Sequence, residues 1–434
     1  MEQNSLAIHG GPKVKTTSFG TGKRFDLAEA KELLEALEQN TLFYHFGHKV
    51  KQFLADFNHL YGIKYSVATS SGTAALHVAL GAAGVTAGDE VITSPITDQG
   101  TVIGILYQNA VPVFADLDPQ SYNMMPEAIE KVITPKTKAI LVVHLAGNPC
   151  DMDSIMKIAK RHHLKVIEDC AQSYLTTYKG RLVGTIGDYG CFSTNDFKHI
   201  STGDGGIVTV NSGEETDYFT THAFADKNYQ RHGTSVTKDL EYLAPNYRMT
   251  ELQGAVGIAQ LKKLNWICNR RNVLGERINQ GFKNVKGIIP MKITDGGWCS
   301  YWFYMLTLDL QQLTCTREQF SEALSAEGIP NQAGYIPKVL YANQLFQKKQ
   351  AYLDSHYPFD QGEYDYSPGI CPNAETILNT AIRLNLNEFY SDQDVEEIIV
   401  AVKKVATFYS DNEENQGESS SEKTGDPIFE EHMN

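Results

Sequence analysis

The sequence predicts an α/β protein: a large unit built on a mixed, mostly parallel sheet, followed by a smaller C-terminal α+β unit. Three observations predict it. From about residue 25 to residue 210, short β-branched runs alternate with apolar residues at helical spacing, the pattern of a sheet covered by helices. Several of those runs are apolar throughout, as strands buried on both faces must be. The last two runs follow one another with no helix between them, which makes the sheet mixed.

Taken in order, Leu27, Ala30, Leu33, Leu34 and Leu37 recur at helical spacing, and so do Val50, Phe53, Leu54, Phe57, Leu60 and Tyr61. The strand runs are Ser66–Thr69, Glu90–Thr93, Val111–Leu117, Ala139–Leu145, Lys165–Asp169, Tyr189–Ser193 and Gly206–Val210, with a helix predicted over Asp151–His163. Thr250 and Gln253 form a capping-box pattern. It opens a long helix to about Phe282 that joins the two units. A strand-like run (YWFYMLTLDL) and a last helix near Asp392–Phe408 complete the smaller one. The expected division is 1–264 for the large unit with its N-terminal arm, 265–410 for the small unit, and 411–434 for a disordered acidic tail. That tail is polar and Ser/Glu-rich, so it cannot bury enough surface to offset its ordering entropy.

Charge narrows the function. The 434 residues carry 52 acidic and 38 basic side chains, a formal net charge of −14. This disfavours nucleic acid, which selects a basic face, and anionic lipid equally. Residues 411–434 hold 8 acidic and 1 basic side chain, so half of the net charge sits in the tail. The remaining body is only mildly acidic and has room for a locally basic pocket. The seven cysteines are scattered, with no C-x-x-C pair, as expected of a reducing compartment. The start MEQNSLAIHGGPKV lacks a secretory pattern, and the apolar stretch around Ile140–Ala146 is far short of a membrane span. A soluble cytoplasmic protein is expected. No histidine spacing of the H-E-x-x-H kind occurs, and no metal site is expected.

Three segments carry candidate chemistry. SSGTAALHVAL (Ser70–Leu80) passes from strand to helix, and Gly72 at a helix start suits a phosphate; a plain Ser-capped turn reads the same way. In KVIEDCAQS, Glu168 and Asp169 end a buried strand, where ligands of α/β sheets bind. Successive strand side chains face opposite ways, so only one of the two serves a given site. Asp169 and Gln172 suit one ligand; a turn-capping Asp is the alternative. In CFSTNDFKHISTGDGGIVTV, Lys198 lies in a loop between two strands, hemmed by Ser193, Ser201 and Thr202. A desolvated lysine there is a nucleophile; a solvated loop lysine is the alternative.

SSGTAAL, EDCAQS, Ser-x4-Lys-x4-GDGG and NYRMTELQGA, in this order, resemble the DegT/StrS-type sugar aminotransferases that use pyridoxal phosphate. The likeness runs from Leu6 to about Ala406. It implies an aspartate-aminotransferase-like fold (fold type I). It also implies roles: Lys198 forms the Schiff base with pyridoxal 5'-phosphate, and Asp169 pairs with the ring nitrogen. Gln172 bonds the ring hydroxyl, and Ser193, Gly72 and Thr73 hold the phosphate. Asn246, before Tyr247 and Arg248, reaches the cofactor of the neighbouring subunit, which implies a homodimer with shared sites. The implied reaction moves an amino group from glutamate or glutamine to a keto-sugar, nucleotide-linked forms included, or a keto-cyclitol, in two half-reactions. A family subgroup carries histidine in place of the lysine and dehydrates its substrate. His199 is adjacent, but the spacings from Ser193 and to Gly203 both select Lys198. A dehydratase or lyase on the same scaffold, and a non-catalytic binding member, are the alternatives.

One departure stands out. The family places a ring-stacking aromatic where SPITDQGTV puts Asp98. His144 is read evenly as site wall or satisfied core histidine. Trp298, Tyr301 and Trp302 are expected in the core or interface of the small unit.

Overall fold

A computed structural model describes residues 5–227 and 242–411. The predicted acidic tail lies outside the described residues, apart from its first residue.

The first helices begin as their caps dictate. α1 (Leu27–Glu38) starts on Asp26, whose side chain accepts from Ala28 N while Glu29 reaches back to Asp26 N. α2 (Lys49–Tyr61) ends on Gly62 in the left-handed conformation. α2 buries its apolar stripe, whereas Leu27, Leu34 and Leu37 of α1 stay exposed. Helical spacing alone did not separate these two cases.

The strands of the large sheet are β1 (Tyr65–Thr69), β2 (Glu90–Thr93), β3 (Val111–Phe114), β4 (Thr137–Val143) and β5 (Lys165–Asp169). Two two-residue strands follow, β6 (Thr177–Tyr178) and β7 (Arg181–Leu182), then β8 (Tyr189–Ser193) and β9 (Gly206–Val210). Between them run α3 (Gly72–Ala82), α4 (Gln99–Tyr107), α5 (Pro126–Lys131) and α6 (Met152–His162). α7 (Glu215–Ala225) follows β9. The runs predicted to end at Leu117 and Leu145 stop earlier. At the second, the chain leaves the sheet at His144 and turns through a left-handed Ala146.

The seven-stranded sheet has the order β1-β9-β8-β5-β4-β2-β3. All pairings are parallel except those of β9, which is antiparallel to both neighbours. The expected mixed sheet is therefore present, with a single reversed strand. This topology positions the site. β1, β2, β4, β5 and β8 end at one edge, and β9 begins there, with Gly206 opposite both Thr69 and Ser193. The loop joining β8 to β9 lies on that same edge.

α8 (Glu251–Gly281) follows, a single helix of 31 residues capped reciprocally by Thr250 and Gln253. It carries the chain into a second sheet of order β10-β12-β14-β13, built from β10 (Ile288–Ile289), β12 (Tyr304–Leu308), β13 (Asn331–Ala333) and β14 (Ala381–Leu384). The intervening β11 (Gly297–Trp298) pairs back onto β6. α9 (Arg317–Ala326), α10 (Gln344–Gln347), α11 (Pro372–Thr380) and α12 (Asp392–Asp411) complete the fold. Among the described residues no helix is long and apolar enough to cross a membrane.

Candidate active site

The strand ends surround a cavity of about 290 Å³, whose lining includes Gly72, Thr73, Asp98, Asp169, Ser193 and Lys198. The β1 end feeds α3, whose first turn is capped by Ser71: its Oγ accepts from Ala74 N at 3.0 Å. The remaining N–H groups of that turn are anion donors by construction. A Cβ on Gly72 would stand 2.7 Å from Ser193 Cβ, so only glycine lets these two strand ends meet without displacement.

β5 separates its two carboxylates by face, as strand alternation requires. Glu168 points away from the cavity and accepts from Gly184 N (2.9 Å), Ile186 N and Gly187 N (both 2.7 Å). His144 Nε2 donates to it at 3.0 Å, while His144 Nδ1 accepts from Cys150 N at 3.0 Å. These bonds fix one neutral tautomer and leave neither ring nitrogen free for a ligand. Of its two readings, His144 takes that of the satisfied core histidine. Cys170 lies near this pair.

Asp169 faces the cavity. Its Oδ2 accepts from Thr101 Oγ1 at 2.9 Å and its Oδ1 from Ala171 N at 3.1 Å. Burial pushes its carboxyl pKa up; these hydrogen bonds and the Lys198 charge pull the other way.

Lys198 shares that space. Its Nζ lies 3.9 Å from the centroid of the Trp302 ring. Burial lowers its pKa, against the attraction of Asp169 and Asp98. Three carbonyls in a row hold its loop: the Arg24 guanidinium donates to Asp196 O and Lys198 O, and Trp302 Nε1 donates to Phe197 O at 2.7 Å. Gly203 closes the loop at φ 84°, where a side chain would be strained. His199 is fully buried and turned away, its Nε2 3.2 Å from Ser300 O. Burial holds its pKa well below the usual imidazole range, so it stays neutral. Lys198, not His199, faces the cavity.

α8 touches both sides of this arrangement. Gln253 Nε2 donates to Asp204 O (2.6 Å), and Gln260 Oε1 accepts from Ser201 N (3.2 Å). Farther along, Arg271 Nη1 donates to Trp302 O at 2.9 Å.

The cavity thus gathers Gly72, Thr73, Asp169, Ser193 and Lys198 of the predicted residues. Gln172 and Asn246 are not among its lining. Gln172 is occupied just behind, its Oε1 accepting from Ala146 N (2.8 Å) and its Nε2 donating to Tyr335 OH (3.1 Å). Asn246 is exposed, and its Oδ1 accepts from Arg248 N at 3.4 Å. Asp98 lines the cavity as the N-cap of α4, accepting from Gly100 N at 2.8 Å. Its place is that of a cap, which explains why an aspartate can stand there. Trp302 corrects its expected place in the core or interface: it is a cavity wall. The backbone takes φ 44° at Tyr301 and β12 begins only at Tyr304, so strand alternation does not extend to Trp302. Tyr301 itself is buried, as expected. Thr101 and Arg24 carried no signal in the sequence.

The residues fit pyridoxal phosphate. A glycine–serine cradle at a helix start suits a phosphate, a buried carboxylate suits a protonated ring nitrogen, and a desolvated amine suits an aldehyde.

The model of the DegT/DnrJ/EryC1/StrS aminotransferase family matches residues 25–403. The spore coat polysaccharide biosynthesis protein SpsC of Bacillus subtilis is 35% identical over 383 residues, covering 87% of this chain and 94% of that one. GDP-perosamine synthase of Caulobacter vibrioides is 34% identical over 319 residues, 72% of this chain and 83% of its own. The crystal structure of an aminotransferase from Psychrobacter cryohalolentis superposes with a TM-score of 0.78 at 29% identity, covering 90% of this chain and all of that one.

Proposed function

This chain belongs to the DegT/DnrJ/EryC1/StrS aminotransferase family, and we propose from that premise that it moves an amino group from glutamate or glutamine onto a keto-sugar, nucleotide-linked forms included, or a keto-cyclitol. One observation carries the reading. A lysine whose proton affinity is lowered by burial shares a cavity with a buried carboxylate and a glycine–serine cradle. The relatives named for perosamine and for a coat polysaccharide support an acceptor of the sugar class.

When bound, pyridoxal phosphate supplies an aldehyde that takes up amino groups and a ring that draws electrons from the adjacent carbon. Lys198 Nζ would hold it, and is the group that takes and returns the proton at the donor's α-carbon. A lysine already inclined to release its proton suits that work. Asp169 would face the ring nitrogen and keep it protonated. Gln172 would bond the ring hydroxyl with the N–H and lone pair it has left. Ser193, Gly72 and Thr73 would hold the phosphate. Asn246 of the partner subunit would reach that phosphate from across a homodimer interface. Exposed Leu27, Leu34 and Phe46, together with the exposed Asn246, support such an interface. Within the chain, α8 would carry the boundary between a large unit of 1–264 and a small unit of 265–410. The cytoplasm is the proposed compartment. Lys198 in the cavity, with His199 turned away, favours transfer over dehydration.

The test is a half-reaction. Purified protein should carry the visible absorbance of the bound cofactor and lose it on adding glutamate or glutamine. One member of a panel of keto-sugars and keto-cyclitols should restore it. Protein that carries no cofactor, and whose activity survives Lys198→Ala, would sink the assignment. For the dimer, Asn246→Ala should lower cofactor retention, and a fully active monomer by light scattering contradicts shared sites.

A further inference from the structure

The direction of Lys198 is set from outside its loop. Its N–H donates to Asn195 O at 2.9 Å, and its two backbone dihedrals join the peptide planes 197–198 and 198–199. A separate donor holds each plane. Trp302 Nε1 donates to Phe197 O at 2.7 Å. The Arg24 guanidinium donates to Lys198 O through one nitrogen and to Asp196 O through another. Arg24 Nε is buried and has no partner. Among the described residues no carboxylate pairs with Arg24, whereas Arg271 holds Glu388 at 2.7 Å.

Arg24 is itself held. Its carbonyl accepts from Gln260 Nε2 (3.0 Å) and Lys263 Nζ (3.1 Å) of α8. The arm before it is fixed to α12: Lys15 Nζ pairs with Asp394 and Glu397, both at 2.6 Å, and Gly20 N donates to Asp394 Oδ2 at 3.1 Å. A Cβ on Gly22 would stand 2.2 Å from the Phe389 ring, so only glycine lets the arm pass there without displacement. Anchored on both sides, the arm presents a planar fork already oriented for two carbonyls. A half-buried arginine spent on carbonyls alone forgoes the carboxylate that usually offsets its burial. What this placement does instead is hold the peptide planes around the lysine.

The lever is long. An extended lysine side chain reaches about 6 Å from Cα to Nζ, so a turn of about 10° in the backbone at Lys198 carries the amine by about 1 Å. A misplacement of that size costs about a hundredfold in rate. We infer that Arg24 is a positioning residue for the transfer reaction: from the N-terminal arm it fixes the backbone of Lys198 and so aims the amine. It acts through Lys198 and touches no reacting group. The inference rests on the reading of Lys198 as the amine that takes and returns the proton.

The experiment follows the loss of visible absorbance when the cofactor-loaded protein meets glutamate or glutamine. In Arg24→Ala the rate should fall about ten- to a hundredfold while the donor midpoint moves less than about threefold. Guanidinium ion, added far below the concentrations that unfold the protein, should restore most of the lost rate, and ethylammonium, which has no fork, should not. Arg24→Lys, which keeps the charge and one bond, should lose about three- to tenfold. A second readout needs no cofactor: the pH midpoint for acetylation of Lys198 by acetic anhydride, located by mass spectrometry. Burial lowers the lysine pKa, so an amine no longer held in the cavity should show that midpoint raised by about one pH unit in Arg24→Ala. A rate unchanged in Arg24→Ala overturns the inference. So does a loss that falls on the donor midpoint instead of the rate, or one that guanidinium leaves unrepaired while the visible band is kept. If Arg24→Ala does not fold, Arg24→Lys decides, and a rate equal to that of the unmodified protein overturns the inference. Absence of the visible band in the unmodified protein refutes the cofactor reading instead, and the acetylation midpoints still test Arg24.

Discussion

The cavity has two sides made by different means. One is the edge of the seven-stranded sheet, where Gly72, Thr101, Asp169 and Ser193 sit on strand ends or at the start of a helix. The other comes from residues beyond α8: Trp302 in the wall, with Tyr335 and Arg383 beside it. On the sheet side, both oxygens of the buried carboxylate are hydrogen-bonded and the backbone sets the shape. On the other side, aromatic packing sets the shape and a cation keeps unused donors. A ligand that never changes is best met by backbone and strand ends. A ligand that comes and goes is best met by a charge left available.

Substitutions on each side should therefore fail differently. The largest effect is expected at Lys198, which serves both. Lys198→Ala should lower transamination by about 10²–10⁴-fold, read as the rate of cofactor bleaching by donor. On the sheet side, Asp169→Asn should lower the same rate about a hundredfold. It should also make the cofactor-free protein more stable near neutral pH, by about 1–3 °C in melting temperature. The sign follows from burial, which raises the folded carboxyl pKa above its ordinary 3.8. Such a group favours the fold below the unfolded pKa, and that contribution is lost as pH rises through the folded value. The gain from Asn should thus vanish at acid pH. Melting curves across pH that show no gain at neutrality would contradict it. Gly72→Ala forces a Cβ against Ser193 and should weaken cofactor affinity about tenfold while leaving donor discrimination intact. The smallest effect belongs to the opposite side. Trp302→Ala admits water to Lys198 and removes the bond to Phe197 O. Since burial lowers the lysine pKa, exposure moves it up. The rising limb of the pH–rate profile should shift to higher pH, with a loss of about three- to tenfold at neutrality. Trp302→Phe should keep the limb near its original place.

The same division explains what could be read from sequence. Strand ends announce themselves locally: an apolar run, then small residues, then a helix cap. Gly72, Asp169, Ser193 and Lys198 were legible for that reason. Asp98 was visible as a departure, whereas its capping role shows only once α4 is seen to begin at Gln99. Trp302, Tyr335 and Arg383 carry no such signal. Two of them precede or follow strands of a second sheet, and their meeting with Lys198 depends on how the chain beyond α8 docks. Arg24 was illegible for a related reason, since it acts from the N-terminal arm on carbonyls more than 170 positions away. Helical periodicity likewise could not tell the buried stripe of α2 from the exposed one of α1.

α8 has a mechanical meaning. Gln253 grips the lysine loop and Arg271 grips the carbonyl of Trp302, on one uninterrupted helix. At the helical rise, those two grips are about 27 Å apart along a single shaft. A tilt of about 3° about one grip would carry the other by about 1.4 Å, nearly three times the roughly 0.5 Å within which reacting groups must be held. The gap between the fixed side of the cavity and the receptive one is therefore a machining tolerance of that shaft. Its straightness, far from any reacting atom, gauges the width of the site.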